Sequence, residues 1–446
     1  MRRRLVGFVA LALLVAACTA GGGDTSTPAE TIDPNAQHEP MTLTVWSNFS
    51  AAHEYKLVTR VLDTAKQKYP WMTIKHVGGK DDAAIQRAIN GGTPPDMAVS
   101  FTPSFAARYC QTGAFQDLNP FLQADNIDKT AVWPAGMFSH TSYNNKQCAL
   151  PMLTDAYGLY YNIDLLEKKG FSAPPKTLSE LADMAKKLTE YNADGSIKVA
   201  GFMPILGFYS GNTVNTYGHA YGAQWYDSAG KPSLSTDPGW AAMLQWQKSL
   251  VDALGYDKLQ KFAAKLGGGD SEWSASHGFE RGKIAMMLDG EWRTAFIEVD
   301  KSKVNYATAF PPTADDHTDL YGAGQVGGTI IGIPKGAKHP AESWLLVKYM
   351  ATDSDALNTL AKGLKNVPST NEALANTELA SDARFKTFID MVKNPKSTYK
   401  PLVPIGDVDE QMFGTFGEKW QAGNVPDLQA GLKRLDSQIA KQLQLG

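Results

Sequence analysis

The sequence predicts an α/β chain of two domains, and two observations carry that prediction. The first folding segment alternates strand-like and helix-like patterns, which is the mark of a parallel sheet covered by helices. After the N-terminal region, roughly 400 residues follow in a chain that is 43% hydrophobic with ten Trp, more than one core usually holds.

The elements follow in order. Met41, Leu43 and Val45 alternate with Thr42 and Thr44, predicting a strand that ends in the polar loop Trp46-Ser47-Asn48. Val58, Val61, Leu62 and Ala65 recur at helical spacing from a start near Ala51, and Tyr69-Pro70 stops the pattern. Met72 to Val77 reads as a second strand and Ala83 to Asn90 as a helix. Gly91-Gly92-Thr93-Pro94-Pro95-Asp96 reads as a turn, and Met97 to Val99 as a third strand. Open parallel sheets bind ligands beyond the carboxyl ends of their strands, here Trp46 to Asn48 and Ser100 to Thr102.

At the N-terminus, Arg2, Arg3 and Arg4 precede the apolar segment Leu5 to Ala17, too short to span a bilayer. Val15-Ala16-Ala17-Cys18 resembles a bacterial lipobox, which implies that residues 1–17 are an export signal and that lipid on Cys18 anchors the chain to a cell membrane on its extracytoplasmic face. An ordinary secreted protein cleaved nearby is the competing reading. Residues 18–40, rich in Gly, Thr, Pro and acidic side chains, are expected to form a disordered tether. An oxidising compartment implies a disulfide between Cys110 and Cys148, with two buried thiols as the alternative. The formal net charge of -3, with no basic cluster beyond the signal, makes neither nucleic acid nor an anionic membrane surface a natural partner.

Further along, motifs occur in a telling order: Trp46-Ser47-Asn48, Gly92-Thr93-Pro94-Pro95-Asp96, Leu159-Tyr160-Tyr161-Asn162-Ile163-Asp164-Leu165, Phe279-Glu280-Arg281-Gly282-Lys283 through Ala285-Met286-Met287-Leu288-Asp289-Gly290-Glu291-Trp292, and Gly327-Gly328 before Ile330 to Pro334. From Met41 to Gly446 the chain resembles the extracellular solute-binding proteins of carbohydrate ABC importers, the family containing maltose-binding protein. The resemblance implies the type II periplasmic-binding-protein fold, two α/β lobes joined by a hinge of crossing strands and closing over a sugar. It places residues 41–150 and 311–352 in the first lobe, and residues 151–310 and 353–446 in the second. It also implies a monomer that captures a di- or oligosaccharide and hands it to permease subunits, without catalysis or cofactor.

A sugar presents apolar C–H faces and a rim of hydroxyls, so its site needs flat aromatic rings beside carboxylates or amides. By the resemblance, Trp292 beside Glu291 stacks on the sugar, against a core role for the same ring, and Asp155 bonds sugar hydroxyls, against an exposed hinge carboxylate. Trp46, Ser47 and Asn48 supply the first lobe's share. Ser100 and Phe101 fall where maltose-binding protein has a stacking Trp, and of the two only Phe101 can stack. Tyr217, Tyr221 and Trp225 belong to an aromatic, Gly-rich stretch matching a family loop that reaches the cleft. Trp273, in the loop Gly267 to His277, and Gly328 of the late glycine pair complete the set.

Other chemistries are poorly served. A glycoside hydrolase needs two carboxylates facing one bond, and no spacing selects a pair from Asp155, Asp289 and Glu291. Gly207-Phe208-Tyr209-Ser210-Gly211 is not a Gly-x-Ser-x-Gly elbow, and His53-Glu54 lacks the second His of a zinc motif. Eight scattered His argue against a metal centre. The run Glu190 to Gly195 opens like a calcium loop but has Gly201 where a bidentate Glu is needed, so Asp194-Gly195 reads as a turn. A charged solute such as a glycerol phosphodiester is the second binding reading, and only Arg281 and Arg293, near Trp292, speak for it.

Overall fold

The computed structural model describes residues 31–211, 213–266, 273–376 and 378–445. The lipobox, Cys18 and the first part of the expected tether lie outside them.

Strand β1 (Met41–Ser47) alternates buried and partly exposed residues as the Leu/Val and Thr pattern requires. Helix α1 (Ala52–Thr64) buries Leu57, Val58, Val61 and Leu62. Strand β2 (Met72–Val77) lies parallel to β1, and α2 (Asp82–Asn90) begins where the Asp81 side chain accepts from Ala84 N–H at 2.7 Å. Strand β3 (Met97–Ser100) is buried throughout and pairs with the other edge of β1. The strand, helix, strand, helix, strand reading of this segment therefore holds, with parallel pairing.

The short hairpins β4 (Ser142–Tyr143) with β5 (Lys146–Gln147), and β7 (Glu190–Tyr191) with β8 (Ile197–Val199), stand apart from the main sheet. The second turns at Asp194-Gly195, with Gly195 at φ 78°, as the Asp-Gly pair predicts. Between them runs β6 (Leu150–Asn162), thirteen residues long. The remaining main-sheet strands are β9 (Met286–Gly290), β10 (Tyr306–Ala309), β11 (Gln325–Gly332), β12 (Val367–Pro368) and β13 (Thr398–Tyr399).

All nine main-sheet strands connect through β6 and β11. The first half of β6 pairs with β11 and β12, and its second half pairs with β9 and β10, all antiparallel. Strand β11 in turn joins β3 at one end and β13 at the other. These are the crossing strands expected of the hinge. Two separate cores flank them. The first unites Leu43, Val58, Val99, Leu150, Ile331 and Trp344, while the second unites Leu159, Phe202, Trp240, Met286, Phe388 and Phe413.

The cores correct the expected lobe boundaries. Ala314 belongs to the second core and its N–H donates to Ala220 at 2.9 Å, so the chain stays in the second lobe past residue 311. It returns to the first along β11. The helix Ser354–Leu364, assigned to the second lobe by the sequence, places Leu357, Leu360 and Leu364 in the first core. A Cβ on its Gly363 would lie 2.4 Å from the Leu57 side chain. Its apolar stripe matches α1, a long-range complementarity that the local pattern does not disclose. The C-terminal part of the expected tether is packed and not free: Ile32 packs on the first core and the His38 ring lies 4.1 Å from that of Trp71.

Cys110 and Cys148 form the expected disulfide, with Cα atoms 5.4 Å apart and a sequence separation of 38. Both sit in a small cluster with Ile85, Ala98, Tyr109 and Phe115 inside the first lobe, so the bridge leaves the hinge free. Gly328 serves the hinge as well. A Cβ there would meet the Leu153 carbonyl oxygen at 2.4 Å and Thr154 Cα at 3.2 Å, so only glycine lets β11 approach β6 this closely.

Two outcomes are expected from chemical denaturation. Replacing both Cys110 and Cys148 by Ala lowers stability by about 3 to 4 kcal/mol, the chain-entropy value for a loop of this size. Gly328→Ala costs ~1–3 kcal/mol through overpacking against β6; an unchanged midpoint for Gly328→Ala would show that β11 can draw back.

Candidate ligand-binding cleft

Alternation along β6 sets Asp155 and Tyr157 on one face, the partly exposed positions of a strand otherwise buried around them. They fall where β6 passes from the first core to the second. Strand β9 runs antiparallel beside them with Gly290 opposite Tyr157, so Glu291 and Trp292 emerge at the same place. A Cβ on Gly290 would lie 2.2 to 2.4 Å from the Trp292 ring, so glycine is what allows the indole to fold back over the strand end. There it meets Tyr157 edge to face, centroids 5.5 Å apart, with its Nε1 buried and unpartnered among the described residues.

Beside this aromatic corner, Asn366 draws two carboxyl groups together. Its Nδ2 donates to Asp155 Oδ1 at 2.7 Å and to Glu291 Oε1 at 2.9 Å, and Ala156 N–H donates to Glu291 Oε2 at 2.8 Å. Burial pushes Asp155 up to about 6, opposed by its hydrogen bonds to Glu291 and Asn366. Burial, then the neighbouring Asp155 charge, holds Glu291 well above the carboxylate range.

A second network lies alongside. Arg293 Nε donates to Asp289 Oδ2 at 2.7 Å, both side chains being 0% exposed, and Tyr209 Oη donates to the same oxygen at 2.7 Å. His277, 3.4 Å from the Tyr209 hydroxyl, is driven down to about 2 by burial and by the Arg293 charge, so it stays neutral. A cavity of about 500 Å³ opens next to Tyr209, lined also by Phe208, Ser210, Thr213, Glu410 and Glu418. Glu410 accepts from Asn215 Nδ2 at 2.8 Å. The volume falls within the ordinary range of small-ligand sites. Among the described residues no group of His, Cys, Asp or Glu is placed to hold a metal ion.

The lobes meet at the far side of this region. His53, in the first turn of α1, stands edge-on to Phe296 at 4.7 Å, and Phe296 in turn packs 5.2 Å from Trp273. Trp273 is 45% exposed and covers the Arg293 guanidinium at 5.2 Å.

The other expected site residues divide. Phe101, 41% exposed, packs edge-on against Phe49 on the first lobe, where its outer face is available for stacking. Asn48 is partly buried with an unpartnered Oδ1 among the described residues. Trp46 lies under the Lys80 ammonium at 5.0 Å and packs on the disulfide cluster. Ser47 is buried and bonded to His76 Nε2 at 2.7 Å, which makes it a core residue and not a ligand contact. Trp225 and Tyr217 are corrected in the same way. Trp225 sits in the second core between Trp240 and Phe413 with its Nε1 donating to Asn215 at 2.6 Å, and Tyr217 is buried beside Trp246. Tyr221 packs at the edge of that core, where the Asp315 and Asp316 charges add to the effect of burial on its hydroxyl. Gly328 packs the hinge. Two residues were missed: Tyr157, which strand alternation from Asp155 would have found, and Asn366, which no local signal marks.

The sequence profile of the bacterial extracellular solute-binding proteins matches residues 61–387. The chain is 21% identical over 363 residues to the maltotriose-binding protein of Pyrococcus abyssi, covering 81% of this chain and 73% of that one. It is 24% identical over 411 residues to the maltooligosaccharide ABC transporter solute-binding lipoprotein of Streptococcus pneumoniae, covering 87% and 85%. Among solved structures, CpMnBP1 with mannotriose bound superposes with a TM-score of 0.78 at 24% identity over 89% of this chain and 99% of that one. The acarbose-binding GacH receptor of Streptomyces glaucescens superposes with a TM-score of 0.73 at 19% identity, covering 92% and 99%. The fold is thus that of the two-lobed binding proteins, and with the profile spanning the strands that build the cleft, the chain belongs to the family of bacterial extracellular solute-binding proteins.

Proposed function

We propose that this protein captures a neutral di- or oligosaccharide between its lobes and delivers it to the permease subunits of an ABC importer, working as a monomer held to the outer face of a membrane by lipid on Cys18. Membership of an extracellular solute-binding family places its work outside the cytoplasm and makes it a binding protein and not an enzyme. The carrying observation is the aromatic corner of Trp292 and Tyr157 set against the Asp155 and Glu291 carboxyl groups. A flat apolar surface beside hydrogen-bonding groups is what a sugar ring with its rim of hydroxyls requires. The relatives named for maltotriose and maltooligosaccharides, and the neighbour holding mannotriose, support that class. A lipoprotein among them supports the anchor.

The phosphodiester reading needs a cation facing the ligand. Arg293 is wholly buried and bonded to Asp289, and Arg281 is exposed on the surface strand-turn before β9, so neither argues for an anionic solute. Nor do Asp155 and Glu291 stand on opposite sides of a bond as a glycosidase pair does, because one amide group holds both.

Titration calorimetry of the signal-free chain against maltotriose, maltooligosaccharides, mannobiose and mannotriose is expected to show saturable binding by at least one. Trp292→Ala is expected to weaken that binding tenfold or more, ~1.4 kcal/mol or above for a lost stacking ring. Full affinity in the variant would remove Trp292 from the site. Cys18→Ala is expected to release the protein from membranes into the medium, and retention at the membrane would refute the lipid anchor.

A further inference from the structure

One amide nitrogen, Asn366 Nδ2, donates to Asp155 Oδ1 at 2.7 Å and to Glu291 Oε1 at 2.9 Å, which sets the two carboxyl groups side by side. Two carboxyl groups held this close on one donor, away from water, repel each other when both are ionised, and that repulsion favours a proton on one of them. Their surroundings reinforce that preference. Tyr157 comes from the same strand and offers no positive charge. From β9, Asp289 contributes a carboxylate bonded to Arg293. From helix Val408–Gln421, Glu410, bonded to Asn215, adds its charge to those of Asp155 and Asp289 in raising the Tyr157 hydroxyl beyond the effect of burial. The Tyr160 hydroxyl spends its proton on the Gly290 carbonyl at 2.8 Å. Asn366 reaches in beside β12 and supplies both hydrogens of one amide nitrogen, one to each acid.

We propose that Asp155 and Glu291 hold one proton between them at neutral pH, with Asn366 as the residue that positions the pair, so that the cleft floor meets its ligand with a single negative charge instead of two. The proton belongs mainly to Glu291, which is 0% exposed, and leaves Asp155, the partly exposed member, as the acceptor facing the ligand. Glu291 O–H donates to Asp155 while Ala156 N–H and Asn366 satisfy its own oxygens. A ligand hydroxyl then finds an acceptor already fixed in direction by two donors behind it. Below about pH 6 the pair takes up a second proton and Asp155 loses its strength as an acceptor. The ligand role rests on the sugar-capture reading, but the shared proton does not, since it is present without ligand.

Both acids are raised above their unfolded values, so the folded chain binds more protons than the unfolded one. Stability conferred by the pair is therefore full at acid pH, declines as pH rises from about 4, the unfolded carboxylate value, through about 6 as Asp155 ionises, and goes on declining above that for as long as Glu291 keeps its proton. The test is carboxyl carbon NMR on the ligand-free chain labelled at Asp and Glu. Spectra are read at pH 8.5, because burial also pushes Glu54 and Glu280 up to about 7. One resonance at the protonated position is expected in the wild type and none in Glu291→Gln. A wild-type spectrum with every carboxyl ionised at pH 8.5, or a protonated resonance that survives Glu291→Gln, would overturn the proposal.

Asn366→Ala supplies the second readout. Loss of the amide donor is expected to raise the Asp155 midpoint above the wild-type value, whereas a merely structural role would lower the melting temperature and leave that midpoint in place. If Glu291→Gln fails to fold, infrared spectra of the wild type in H₂O and D₂O at pH 8.5 decide the matter, a protonated carboxyl band sustaining the shared proton and its absence refuting it. Failure of either measurement leaves sugar capture standing, and a chain that binds no sugar can still pass both.

Discussion

The structure depends on one strand belonging to two cores. Strand β6 spends its first half bonded to β11 and β12 and its second half bonded to β9 and β10, so each lobe is completed by a piece of the same chain. Backbone hydrogen bonds run along both halves, and the buried ladder leaves no slack for a slip of register, which would turn Asp155 and Tyr157 inward and bury them among apolar side chains. The candidate site residues Asp155 and Tyr157 are thus placed by the same register that joins the lobes. Flexibility of the hinge and fidelity of the site come from a common source.

That arrangement explains why acidic groups can be kept at the cleft floor. Burying a carboxyl group without partners is costly, and leaving a buried donor or acceptor unpaired costs about 1–3 kcal/mol. Here Asn366, Ala156 and the two acids satisfy one another, while Asp289 is answered by Arg293 and Tyr209. The network gathers β6, the end of β9 and the approach to β12. Those are segments from both sides of the passage between cores, so the polar floor and the strand crossing are one construction.

Much of the fold was legible in the sequence because its determinants are local. The alternation of Met41 to Val45, the helical spacing through Ala65 and the turn around Gly92 each depend on residues within one element, and each appears where expected. What was not legible depends on partners far along the chain. The helix Ser354–Leu364 chose α1 through shape complementarity over three hundred residues of separation, roughly, that only the closed fold creates. Trp225 and Ser47 have the chemistry of ligand contacts and the surroundings of core residues, and composition cannot separate the two. Trp292 was found through its motif and Asn366 was not, because an isolated Asn announces nothing until the chain returns to β6.

The proposed capture of a sugar puts its ring on Trp292 and its hydroxyls on Asp155, between the lobes. A crystal structure of the signal-free chain with its tightest-binding oligosaccharide tests this most directly. The expected result is sugar density against the Trp292 face, within hydrogen-bond distance of Asp155 and in contact with residues of both lobes. A sugar seated on one lobe alone, away from Trp292 and Asp155, would contradict it.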